Sequence, residues 1–126
     1  MTGRGPLPRV DRLGAAPASL AGEDGSQIAT GYAATHARAR AIGLLGTRAL
    51  GSEEFLWIPR CSRVHTWAMA ISIACVFVDS GGVVIRIADP VPPWRIVGAH
   101  GAAGVIEGPA GFGARVRLGE RLTLAA

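Results

Sequence analysis

Lysine is absent: all 13 basic residues are arginine. That removes lysine Schiff-base chemistry and the P-loop lysine. Two cysteines are too few for a disulfide framework. No uninterrupted apolar run reaches the ~18 residues of a membrane-spanning helix. The patterns G-x-S-x-G, H-E-x-x-H, C-x-x-C and G-x-x-x-x-G-K do not occur. The nine acidic residues are spread out, which argues against a two-carboxylate hydrolase. What remains is apolar: 49% of residues are hydrophobic and 17% charged, the balance of a folded chain. At 126 residues it makes one domain that buries roughly two-thirds of its unfolded surface. The net charge of +4 permits weak attraction to polyanions, but the arginines are scattered rather than blocked.

Residues 1–26 are rich in Gly, Pro and Ala, with three arginines balanced by Asp11, Glu23 and Asp24. They read as a flexible, disordered leader ahead of a single β-rich domain over 27–126. No early apolar h-region marks a signal peptide, so a cytoplasmic setting is expected. Gln27–Ala33 reads as a strand. Thr35 is a suitable N-cap, and His36–Leu45 favours a helix that Gly46 stops.

Strand signals follow. Phe55–Ile58 is short and apolar and ends at Pro59. From His65 to Asp79 large and small side chains alternate with period two, and so long a run requires a break near Ala70–Ser72. Ser80-Gly81-Gly82 predicts a hairpin turn with Val78 opposite Val83, and Val83–Ala88 returns. The segment Asp89–Arg95 holds three prolines and cannot be a central strand. Ile96–Ala103 is ambiguous. Ala103–Glu107 is strand-like, Gly111–Val116 a tight or single helical turn, and Arg121–Leu124 closes the sheet. The expected class is α+β: a mostly antiparallel small curled sheet or barrel of about six strands with one N-terminal helix.

The segments RARAIGLLGTRAL (38–50), PRCSRVHTWAMAISIACVFVDSGGVV (59–84), VPPWR (91–95), VIEGPAG (105–111) and LGERL (118–122) occur in one order. In this they resemble the family known as domain of unknown function 192, a compact β-rich domain of bacteria and archaea. The resemblance covers roughly residues 27–124 and implies a fold, not an activity. Relatives typically carry Pro-Ile-Asp or Pro-Leu-Asp where this chain has Ser72, Ile73 and Ala74, so an acid common in that strand is replaced by Ala74.

Cys61, Ser62, His65 and Thr66 form the most polar constellation. Cys61 and His65 are candidates for a thiolate–imidazolium pair or two metal ligands; the alternative is that both are structural. Cys75 alternates with Ile73 and Phe77 as a small core residue. A Cys61–Cys75 disulfide is one option for the two thiols, though a cytoplasmic setting argues against it. Met69 and Trp67 either line a cavity or fill the core. Trp94 and Arg95 follow two prolines as a stiff aromatic and cationic tip, suited to stacking on a sugar or base or to plugging a barrel end. Glu107 is a candidate general base, or an acceptor for Arg40 or Arg95. The glycines at 98, 101 and 104 make at best a poor phosphate loop.

The candidate ligand-binding set is therefore His65, Thr66, Met69, Trp94, Arg95 and Glu107, with His65 and Arg95 expected at one rim. No metal site or cofactor is implied. The leading expectation is an accessory or ligand-binding domain without catalytic machinery. One alternative is a small enzyme using Cys61 and His65, with Arg95 orienting an anion. Another is a protein-interaction module presenting a sheet edge. Neither specific nucleic-acid binding nor a membrane span is expected.

Overall fold

The computed structural model describes residues 15–34, 54–66 and 71–125. Among these residues the fold is mostly β. A seven-stranded sheet has the order β6-β5-β8-β3-β2-β1-β9, and β4 and β7 form a separate two-stranded ribbon. The strands are β1 (Ala15–Ala21), β2 (Gln27–Ala34), β3 (Phe55–Pro59), β4 (Arg63–His65), β5 (Ile73–Val78), β6 (Val84–Val91), β7 (Ile96–Gly98), β8 (Gly104–Pro109) and β9 (Thr123–Ala125). Helical structure among the described residues is a single 3-10 turn, Phe112–Arg115. The helix expected at His36–Leu45 lies outside them. None of the described helical structure is long and apolar enough to cross a membrane.

The sheet curls until its two edges meet at one end. Val83 bridges Arg121, the Val84 N–H donates to Glu120 O, and the Leu122 N–H donates to Gly82 O. One face lines the inside of this curl, with Leu20, Phe55, Val76, Val78, Ile106 and Phe112 among its buried side chains. The other face carries Leu56, Ile58, Ile73, Cys75, Phe77 and Val105, and the β4–β7 ribbon covers it with Val64 and Val97. Strand β5, next to the β6 edge, is therefore buried on both faces. Its alternation is real, but it separates two cores rather than core from solvent.

Most pairings are antiparallel. The exception is β2 with β3, a parallel pair in register at Gly31–Phe55, Tyr32–Leu56 and Ala33–Trp57. Such a pair needs a long crossover, and the chain between Ala34 and Phe55 has the length for one.

Several expectations are corrected. Strand structure is already present at Ala15–Ala21, ahead of the start expected near Gln27: β1 pairs with β2 along its length and with β9 at Ser19–Ala21. The described residues hold nine strands rather than about six: β1, β4 (which meets the expected run only at His65) and β7 are the additions. Val78 pairs with Val84, not Val83, since the register shifts between Phe77 and Val78. The cause is Asp79, whose carboxylate accepts the Gly81 and Val83 N–H groups (both 2.9 Å) and fixes a turn that turns Val83 toward Arg121. Strand β6 continues through Pro90, which is tolerated because β6 is an edge of the sheet.

Candidate functional site

The two ends of the curled sheet differ. At one end Phe112 enters the interior, packing on Gly108 and facing Phe55 with ring centroids 6.5 Å apart. Asp89 holds this plug: its carboxylate accepts the N–H of Gly111 (2.9 Å) and of Gly113 (2.8 Å). Ala74, where the resemblance leads one to expect an acid, is fully buried opposite Gly108 at this end. At the other end, where Val78 and Pro59 are both in register with Gly104, the interior opens into a cleft of about 410 Å³. Its walls include Leu20, Trp57, Val78, Ile106 and Leu124, with Asp79, Ser80 and Arg121 contributing polar groups. Trp57 is a half-buried wall of this cleft. Its indole lies across Gly104, where any Cβ would collide with the ring.

This cleft went unread in the sequence. Trp57 was legible only as part of a short apolar strand. Gly104 belonged to a glycine group weighed as a phosphate loop, whereas it makes room for an indole. Their relationship depends on the pairing of β3 with β8, which no local pattern encodes.

The residues singled out in the sequence lie elsewhere. Thr66 is fully buried at the end of the β4–β7 ribbon. The Arg95 N–H donates to Thr66 Oγ1 (2.9 Å), and that hydroxyl donates to Pro92 O (2.6 Å). Two backbone bonds complete the clamp: Thr66 N–H to Arg95 O (2.8 Å) and Trp94 N–H to Thr66 O (3.0 Å). His65 is in register with Ile96. His65, Thr66, Trp94 and Arg95 thus share one end of the ribbon. Trp94 does not plug the barrel: it is 65% exposed and held at a positive φ of 64°. Phe112 is the plug. Met69 and Trp67 lie outside the described residues.

Cys61 packs toward the buried face and its Sγ donates to Arg63 O (3.2 Å), whereas His65 is exposed on the outward side of β4. Cys61 and Cys75 are not joined in a disulfide. Glu107 is fully buried in mid-sheet, in register with Leu56 on one side and Cys75 on the other. Burial, and then the Glu107 charge, push the Cys75 thiol well above its usual range. Among the described residues, no group of three or more His, Cys, Asp or Glu side chains is arranged to hold a metal.

A second, polar cleft of about 540 Å³ is lined by Glu23, Asp24, Arg115, Arg117 and Glu120. Its polar groups are largely occupied with one another and with backbone. The Ser26 hydroxyl and N–H donate to Asp24 and hold that carboxyl below its usual value. Glu120 accepts the Glu23 and Arg117 N–H groups, and Arg115 donates to Ile28 O.

No curated protein matches the chain. Two solved structures share its fold. One, from Sinorhizobium meliloti, is of a protein provisionally called a transcription regulator; it has 21% identity and a TM-score of 0.72 over 88% of this chain and 94% of that one. The other is a protein of unknown function from Novosphingobium aromaticivorans, with 22% identity and a TM-score of 0.69 over 86% of this chain and 84% of that one. A family model matches residues 20–124, and the chain belongs to that family, the uncharacterised ACR family also known as domain of unknown function 192.

Proposed function

We propose that this domain is a binding module whose ligand enters the open end of the curled sheet and rests against Trp57. One observation carries the reading. The interior is stoppered at one end by Phe112 and opens at the other into an apolar cleft of about 410 Å³. That size and lining suit a small organic molecule, and barrel mouths are a common place for such sites. Apolar walls from Leu20, Val78, Ile106 and Trp57 supply burial, while Asp79, Ser80 and Arg121 at the cleft supply orientation. No catalytic step is part of this reading. Cys61 packs against the buried face and its Sγ donates to Arg63 O, while His65 is exposed on β4.

The experiment is titration of the full chain with Nile red, a neutral apolar dye, alongside native mass spectrometry of protein purified from its host. Saturable one-site binding, abolished by Ala103→Trp at the cleft with the melting temperature kept, is the expected result. Unsaturable dye uptake, or binding indifferent to Ala103→Trp, overturns the assignment.

A further inference from the structure

Three of the seven described arginines, Arg63, Arg86 and Arg95, lie along the β4–β7 ribbon. Arg63 and His65 stand on the outward face of β4, with Ile96 beside His65 on the same face of the ribbon. Arg86 reaches the ribbon from edge strand β6 and donates to Gly98 O (2.6 Å); Gly98 is the register partner of Arg63. Arg95 and Trp94 project from the ribbon's other end. Three guanidinium groups thus flank one narrow surface.

The described carboxylates are all placed elsewhere. Glu23, Asp24 and Glu120 line the polar cleft. Asp79 is bound into the β5–β6 turn and Asp89 into the Phe112 plug. Glu107 is buried, and Glu54 lies in a recess with Pro17 and Tyr32. Among the described residues, the ribbon face therefore carries arginines and no carboxylate, while Arg115 and Arg117 share the polar cleft with acids.

Its second property is aromatic. Trp94 is 65% exposed and Ile96 59%, in a protein that buries most of its large apolar side chains. Trp94 is not loose. The fully buried Thr66 binds the backbone on both sides of it, and its φ of 64° is a conformation that non-glycine residues adopt at a cost. A tryptophan fixed in water at such a cost is a preformed contact surface.

From this arrangement we infer that the β4–β7 ribbon is a sequence-tolerant docking surface for single-stranded nucleic acid. A base stacks on Trp94, and successive phosphates meet Arg95, Arg63 and Arg86. An acidic peptide satisfies the arginines but offers nothing for the exposed indole. A duplex keeps its bases stacked inside. A single strand presents both a charged backbone and free ring faces, the combination that stacking platforms take.

The test is fluorescence anisotropy of a labelled oligo-dT of about twelve nucleotides with the full chain. Three phosphate contacts give a log–log salt slope near −2, so affinity falls about 15- to 20-fold from roughly 50 to 200 mM salt. Arg63→Gln lowers that slope by about 0.7. Trp94→Ala weakens binding about 5- to 100-fold, and Trp94→Phe, which keeps a ring, restores most of it. Melting curves of each variant separate this loss from unfolding. Four results each overturn the inference: no binding at the low-salt end, equal affinity for oligo-glutamate, tighter binding to duplex than to single strand, or an affinity unchanged by Trp94→Ala.

Discussion

The Trp57 indole packs against Gly104, and this contact between neighbouring strands shapes the open end of the curled sheet. Any side chain at 104 must displace the ring or bend β8. Gly104→Ala is expected to cost about 1–3 kcal/mol through overpacking. It is also expected to change Nile red affinity, because Trp57 is a wall of the cleft. Urea unfolding measures the first effect. A loss below about 0.3 kcal/mol would show that the indole swings away freely and is no fixed wall.

The plug at the other end depends on Asp89. Its carboxylate accepts two backbone N–H groups, from Gly111 and Gly113, and the latter is buried. Asp89→Ala leaves those donors without their anionic acceptor and is expected to cost about 2–4 kcal/mol. Hydrogen exchange should find the Gly113 amide losing protection before the amides of β5 do. Equal loss across the molecule would mean that the plug and the sheet open as one unit.

What could be read from the sequence was whatever depended on local chemistry. Strand β3, the hairpin at Gly81–Gly82, the turn at Gly111 and the unsuitability of Asp89–Arg95 for a central strand follow from period, glycine and proline. His65 and the Trp94–Arg95 tip share an end through the β4–β7 pairing, not through the β5–β6 hairpin return that the sequence suggests. Strand β1 was not legible. Ala15–Ala21 has one large apolar residue and a proline, so neither propensity nor alternation marks it. It is a strand because β2 and β9 flank it. Pro17, lacking an N–H, sits beyond the Ser19–Ala21 stretch that β9 pairs. The Trp57 cleft was hidden for the same reason, because non-local pairing creates it.

This has a direct consequence for truncation. Removing residues 1–26 deletes β1, exposing the inner face where Leu20 is 1% accessible and leaving β9 without its neighbour in the sheet. Loss of the Leu20 side chain alone is worth about 2–5 kcal/mol. The melting temperature of a chain beginning at Gln27 is expected to fall by roughly 10 °C or more. Leu20→Ala in the full chain should reproduce part of that drop. A truncated protein that melts with the full chain would show that β1 adds nothing to the fold.

The last expectation concerns Cys75 and pH. Its thiol is buried in register with Glu107, and burial together with that charge raises its ionisation well above the ordinary 9.0. In the unfolded chain the thiol ionises near the ordinary value, while in the folded chain it stays protonated. Below that pH both states hold the proton and the thiol adds no pH dependence. Above it the unfolded state alone releases the proton, so stability declines as pH rises, by up to about 1.4 kcal/mol per unit from this group. Cys75→Ala removes this component and flattens the alkaline side of the stability profile. The same burial makes the thiol inert toward alkylating reagents in the native protein, so Cys61, half-buried and nearer solvent, should label first. Denaturation should then release the second thiol. Rapid native labelling of Cys75, or an alkaline profile unchanged by Cys75→Ala, would mean that the centre of the sheet is open to solvent.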